Sequence, residues 1–518
     1  MQIHHLLEQS SEAFPDKDAV WDRERWYTYR ELNTAADGVA AFLVNKGMNR
    51  GDRIALLLDN SFDYTAAYFG ILKAGAVVVG LNTETTAEAL EYLLVNSDAR
   101  CLVTQGKYRK HVFPALPSCP LVEQLVFTDD SAPEVDSPSV KTTTLKEIYD
   151  GYKYPVFVRS IDIDLAEIVY TSGSTGKPKG VMLTHLNLVS NMRSICRYLD
   201  LTGDDRIMVV LPFYYIYGKS LLLTHILTGG SVIIDNRFVY PNKILETMKA
   251  AGATGFAGVP STFMILLNRS LLKETRLDTL RYVTQAGGAM APAVQKEVVK
   301  AFSPAQVFIM YGATEAAPRL SWLDPELLFS KWGSIGIPVD NVDLLILDGD
   351  GNEVPRGETG EIAARGSNIM RGYWKDQEET DKVLRNGFYY TGDLGKQDED
   401  GFFYVVGRTK DMIKVKGFRI SAKEIEEAIL EIGEIHETAV VGVEDPVLGE
   451  AILALVIPKE KGWKDEQKIR DYLGKKLPPI KQPKQIQFRE SFPKNESGKV
   501  LKAALRQEVN NTTGETNQ

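Results

Sequence analysis

Residues 170–180, Tyr170-Thr171-Ser172-Gly173-Ser174-Thr175-Gly176-Lys177-Pro178-Lys179-Gly180, crowd hydroxyls, glycines and two lysines into one short run. That mixture suits a polyphosphate, because small residues expose backbone N–H groups and lysines offset negative charge. It is not a GxxxxGK[ST] loop. Thr171 stands where the first glycine would be, and Pro178 replaces the Ser/Thr that would meet Mg2+. The opposing reading is an ordinary Gly/Ser surface loop. Further on, Tyr311-Gly312-Ala313-Thr314-Glu315 follows the apolar residues 307–309, so a hydroxyl and a carboxylate fall at the end of a strand, where α/β sheets bind ligands. Asp393 closes Tyr390-Thr391-Gly392-Asp393, and Lys499 closes Asn495-Glu496-Ser497-Gly498-Lys499. Taken singly, these read as a turn, a solvated glutamate, a self-capping turn aspartate and a solvated lysine.

Such residues need a frame to hold them. Residues 54–58 and 77–79 read as buried strands, with Tyr64, Ala67, Tyr68, Ile71 and Leu72 at helical spacing between them. Near-continuous apolar strands alternating with helices predict parallel sheets covered by helices. Residues 168–170 form the strand entering the hydroxyl-rich run, and Leu188, Met192, Ile195 and Leu199 mark a helix expected directly after it. Residues 207–211, 231–234 and 307–309 continue the strand pattern, while 344–347, 361–364 and 402–406 are strands joined by Gly-rich turns. Composition changes near residue 410. Beyond it lies a compact unit in the order strand, helix, strand, strand, helix, with Ile425, Ala428, Ile429 and Ile432 on one helical face. The expected fold is α/β: a large N-terminal region of parallel-sheet α/β subdomains, 1–408, and a small α+β C-terminal domain, 409–518.

Composition narrows the class. The 518 residues carry a net charge of −9, which argues against a nucleic-acid or anionic-membrane binder, since both require a basic surface. No apolar stretch approaches the ~20 residues of a bilayer span, so no integral membrane segment is expected. Cys101, Cys119 and Cys196 are too scattered for a disulfide framework or a zinc site. The first residues show no secretory pattern, and a cytoplasmic enzyme is expected.

The run 170–180 resembles the nucleotide loop of the adenylate-forming superfamily, which includes acyl- and aryl-CoA synthetases, peptide-synthetase adenylation domains and beetle luciferases. Ala286-Gly287-Gly288-Ala289, residues 311–315, residues 390–393, Gly407-Arg408-Thr409-Lys410-Asp411 and residues 495–499 follow in that family's order. The resemblance implies ATP and Mg2+ chemistry: a carboxylate attacks the α-phosphorus, pyrophosphate leaves, and a thiol then takes the acyl group. It implies Thr171, Ser172, Gly173, Ser174, Thr175, Gly176 and Lys179 around the β- and γ-phosphates. It puts Tyr311 on the adenine with Gly287 and Gly288 close to the ring, counts Gly312 and Ala289 among the nucleotide-binding residues, and puts Thr314 at the α-phosphate. Glu315 falls to the metal, and Asp393 and Arg408 to the ribose. Lys499 is implied as the lysine that neutralises carboxylate and phosphate, Asp411 as a hinge that makes the small C-terminal domain mobile, and Lys416, Gly417 and Phe418 as the pantetheine passage.

The acyl pocket is expected from Tyr214, Tyr215 and Tyr217 with Gly258, Val259 and Pro260. Many acyl- and aryl-CoA synthetases carry a histidine where Tyr215 stands. No acid lies between Leu211 and Gly218 to pair an α-ammonium, which disfavours an amino-acid substrate. Arg319 is read either as a surface arginine or as the partner of a second anionic group on the substrate. The leading expectation is an ATP-dependent ligase joining a small-molecule carboxylic acid to CoA. The alternative loads the phosphopantetheine thiol of an acyl carrier protein in trans. A luciferase-like oxygenase, a phosphotransferase and a catalytically inert binding protein have less support.

Overall fold

The computed structural model describes the chain except residues 133–134, 136–138, 172–177, 416–417, 446–447, 495–499 and 515–518. An eight-stranded sheet runs in the order Gly372–Tyr373, Lys179–Thr184, Leu165–Thr171, Val77–Gly80, Arg53–Leu57, Ala99–Thr104, Gln124–Phe127, Lys141–Thr144. From Leu165–Thr171 outward to Lys141–Thr144 the neighbours are parallel. The helix Phe62–Lys73 crosses between two of these strands, as the periodicity predicts. Ser61 Oγ accepts from the Tyr64 amide to start it, and every residue except Asp63 is buried.

A second sheet has nine strands. Its parallel centre is Gln306–Gly312, Tyr282–Gln285, Gly255–Gly258, Arg206–Val209, Ser231–Ile234 and Asp18–Asp22. Antiparallel strands finish both edges: Arg319–Leu323 and Ile337–Pro338 on one, Arg25–Thr28 on the other. A third, wholly antiparallel sheet is built on Phe388–Gln397, flanked by Gly360–Gly366 and Phe403–Arg408. The two α/β sheets are tied through a fully buried ion pair. Glu167, on Leu165–Thr171, meets Lys219 Nζ at 2.7 Å from the helix Ile216–Thr228, and neither side chain is exposed.

Two local expectations are corrected. The hydroxyl-rich run does not lead into a helix. It leads into the strand Lys179–Thr184, which turns back antiparallel on Leu165–Thr171, and the helix His185–Tyr198 begins only afterwards. Val181 and Leu183 are buried against the sheet with Met182 half-buried, an alternation that two lysines and a proline mask in the sequence. Beyond residue 411 a hairpin, Met412–Val415 with Phe418–Ser421, precedes the helix Ala422–Leu430. The paired strands Ile435–Asp445 and Gly449–Pro458 then gain a parallel neighbour, Gln485–Phe488, which is too short to show periodicity. The last helix is Lys502–Gly514. Among the described residues no helix is long and apolar enough to cross a membrane.

Candidate active site

The strand Gln306–Gly312 delivers Tyr311 to its carboxyl end, where the third sheet arrives from the side. Tyr311 Oη donates to Asp393 Oδ2 at 2.7 Å, and Arg408 Nε reaches Asp393 Oδ1 at 2.9 Å. Asp393 and Arg408 are direct cross-strand partners, so strand register sets this pair. Burial raises the Tyr311 hydroxyl pKa, and the Asp393 charge acts the same way, which keeps Tyr311 a donor. Gly312 allows a close crossing: a Cβ there would overlap the Pro318 carbonyl oxygen.

The loop after Tyr282–Gln285 carries Gly287, Gly288 and Ala289, all exposed, and Gln285 Nε2 donates to the Gly288 carbonyl at 2.8 Å. Gly287 has φ of +81°, and a Cβ on it would lie 2.9 Å from Val259 Cγ1. This loop therefore packs on the wall formed by Gly258, Val259 and Pro260, where a strand gives way to the helix Pro260–Arg269.

Glu315 sits in the short 3-10 turn Thr314–Ala316. Tyr373 Oη donates to Glu315 Oε1 at 2.8 Å. Lys179 Nζ lies 5.2 Å from the centre of the same tyrosine ring and pairs with Glu379. Lys179 and then Lys382 hold the Glu379 carboxyl below its ordinary range. Tyr373 thus gathers the lysine of the hydroxyl-rich run and the glutamate of the Tyr311 motif. Sequence reading did not single it out; the signal was Gly372-Tyr373-Trp374, a glycine before two aromatics. A glutamate at the strand end, with one oxygen fixed by a phenol, is a donor suited to Mg2+. Thr171 Oγ1 makes a long contact, 3.5 Å, to the Lys179 carbonyl. Ser172, Gly173, Ser174, Thr175, Gly176, Lys416, Gly417 and Lys499 lie outside the described residues. Asp411 ends the turn Thr409–Asp411, and the Phe418 side chain is exposed.

The segment expected on the acyl side stands before the helix Ile216–Thr228. Asn60 fixes it: Nδ2 donates to the Leu211 carbonyl at 2.8 Å, and Oδ1 accepts from the Phe213 amide at 2.7 Å. Tyr214 is buried and Tyr215 half-buried, their rings 4.7 Å apart. Tyr217 is buried, with Oη 3.1 Å from the Thr284 carbonyl and 3.0 Å from its hydroxyl. That contact joins the acyl segment to the strand ahead of Gly287. Arg319 is not a surface residue. It is 2% exposed, and its backbone is clamped on both sides by the Asn191 amide.

Asp393 held by Tyr311 and Arg408, Glu315 held by Tyr373, and the paired tyrosines Tyr214 and Tyr215 are the arrangement expected of an adenylate-forming enzyme. The chain belongs to the AMP-binding enzyme family: residues 7–374 match the AMP-binding enzyme, and 424–499 match its C-terminal domain. It is 32% identical over 531 residues to a long-chain-fatty-acid–CoA ligase of Salmonella typhimurium, with 97% of this chain and 94% of that one covered. It is 33% identical over 485 residues to a feruloyl-CoA synthase of Amycolatopsis sp, covering 92% and 93%. ATP-bound MatB from Rhodopseudomonas palustris superposes with a TM-score of 0.87 at 30% identity, over 99% of this chain and 100% of that one. The protein is an ATP-dependent carboxylate–CoA ligase of the acyl-CoA synthetase class. The two curated relatives are named for CoA, which favours the free thiol over a carrier protein as acceptor.

Proposed function

We propose that the protein activates a small-molecule carboxylic acid as its acyl-adenylate and transfers the acyl group to CoA, with the division of labour that follows. A carboxylate oxygen attacks the α-phosphorus of ATP and pyrophosphate departs; the CoA sulfur then attacks the acyl carbonyl and AMP departs. The observation that carries the assignment is Asp393 held between Tyr311 and Arg408. A carboxylate fixed by two donors has remaining lone pairs that can accept from both ribose hydroxyls. Tyr311, Gly312, Gly287, Gly288 and Ala289 would frame the adenine, and Thr314 the α-phosphate. Residues 171–176 and Lys179 would close on the departing phosphates, Lys179 exchanging Glu379 for them. Glu315 would hold Mg2+, which screens the charge of the phosphates.

Two anions must converge for the first step, and Lys499 supplies the point charge that neutralises both. It sits in the smaller part of the chain, 409–518, which turns about Asp411 to withdraw Lys499 and bring Lys416, Gly417 and Phe418 to the pantetheine arm. Tyr214, Tyr215 and Tyr217 with Gly258, Val259 and Pro260 line the acyl slot. The net charge of −9 and the use of ATP and CoA suit the cytoplasm.

The test is a panel of carboxylic acids assayed for AMP release with free CoA. ADP and phosphate as products would sink the reading. Lys499→Ala should lose carboxylate-dependent pyrophosphate exchange while still converting supplied acyl-AMP to the thioester. Normal exchange by that variant overturns the role given to Lys499.

A further inference from the structure

Among the described residues, nothing balances the charge of Arg319. It opens the strand Arg319–Leu323 directly opposite Gly312, so it leaves the sheet beside the Tyr311 motif. The residue is 2% exposed, and its Nε has no hydrogen-bond partner among the described residues. Among the described residues no carboxylate lies within ion-pairing distance of the guanidinium. Its Cζ sits 5.1 Å from the centre of the Tyr217 ring, on the acyl side, and it also faces the phenol of half-buried Tyr198. An aromatic face offsets only part of what a guanidinium loses on leaving water. The backbone cannot easily retract it, because Asn191 grips both its N–H and its C=O, at 2.9 and 2.8 Å, and Asn368 adds a second donor to that carbonyl at 2.9 Å.

A buried guanidinium with an unused N–H and a planar fork is suited to receiving a carboxylate in bidentate fashion. The reacting carboxylate of the substrate is not its target: that group goes to the phosphate side, where Thr314 and Glu315 stand. A substrate ending in a methyl group would leave the charge buried and unpaired beside an apolar chain. We infer that the preferred acid carries a second carboxylate and that Arg319 binds it at the buried end of the acyl slot beside Tyr217, a reading that rests on the ligase activity proposed above.

The experiment compares dicarboxylic acids with their monomethyl esters at matched length, from succinate to suberate and across the phthalates. Two quantities are read: CoA-dependent AMP release, and the shift in melting temperature that each compound causes without ATP. The diacid of best-fitting length is expected to exceed its half-ester by about 100-fold in kcat/KM, the scale of one buried charged contact. Arg319→Met should abolish that preference and Arg319→Lys should keep part of it. The comparison within the unaltered protein stands even if Arg319→Met fails to fold. Equal use of diacids, half-esters and straight-chain fatty acids overturns the anion site and leaves the ligase intact. A diacid-specific melting shift without AMP release keeps the site and overturns the ligase. Neither a shift nor discrimination overturns the anion site.

Discussion

Asp393 receives Tyr311 from one sheet and Arg408 from its own, and each contact depends on its charge. Asp393→Asn keeps the shape but turns one acceptor into a donor, facing either the phenol or the guanidinium. The expected result is a rise of about 10–100-fold in KM for ATP in pyrophosphate exchange, the equivalent of one or two charge-assisted hydrogen bonds. An unchanged KM for ATP would take Asp393 off the nucleotide. This residue, Arg408 and the Tyr311 motif were legible in the sequence because several motifs occur in one order, although each alone reads as a turn or a solvated side chain. Tyr373 was not legible. Its value comes from standing where Glu315 and Lys179 meet, and that meeting is made by Gly372–Tyr373 pairing with Lys179–Thr184 across nearly two hundred residues of chain.

At the scale of elements, strand Leu165–Thr171 and helix Ile216–Thr228 are locked by Glu167 and Lys219. Tyr68 Oη adds a 3.3 Å bond to the carboxylate, and its ring lies 4.0 Å from the ammonium. Burial alone would push the proton off Lys219, and its pKa is lowered, but the Glu167 charge opposes that loss. One end of this lock lies on the strand that enters the hydroxyl-rich run and the other lies two residues past Tyr217, so it fixes that strand against the helix that carries Tyr217. Glu167→Gln leaves a buried ammonium uncompensated and should cost about 3–5 kcal/mol in urea unfolding. The double variant Glu167→Leu with Lys219→Met should recover most of that stability. A single variant as stable as the parent would show that the pair bears little load. The elements around it were largely readable: the long buried helix and the apolar strands follow periodicity. What failed was short. Lys179–Thr184 and Gln485–Phe488 owe their strand state to a neighbouring strand, which no local pattern reveals.

For the whole molecule, acid should be the weak point, because three histidines are buried in neutral form. His185 Nδ1 accepts from the Ile3 amide at 3.2 Å, tying the N-terminal segment to the helix His185–Tyr198, and an accepting nitrogen carries no proton. In His225, Nδ1 faces the Leu221 carbonyl at 2.8 Å and must donate, so Nε2 accepts from Tyr282 Oη at 2.9 Å. Burial pushes both pKa values down to about 4, and that of His4 to about 3. Unfolded histidine takes up its proton near pH 6.5 while the folded chain still refuses it, so stability is complete above that pH and falls as pH drops toward 4. At about 1.4 kcal/mol per unit, each site should lose roughly 2 kcal/mol between pH 6.5 and 5. Asp22, Asp63 and Glu426 act in the opposite sense, since burial raises their pKa values and the folded state gains by protonating them. The informative quantity is therefore a difference. The urea midpoint of the parent should fall from pH 7 to pH 5. His225→Gln, weaker at pH 7 for want of the Tyr282 bond, should fall less steeply. Parallel slopes for the two proteins would mean that His225 takes up no proton on unfolding in this range.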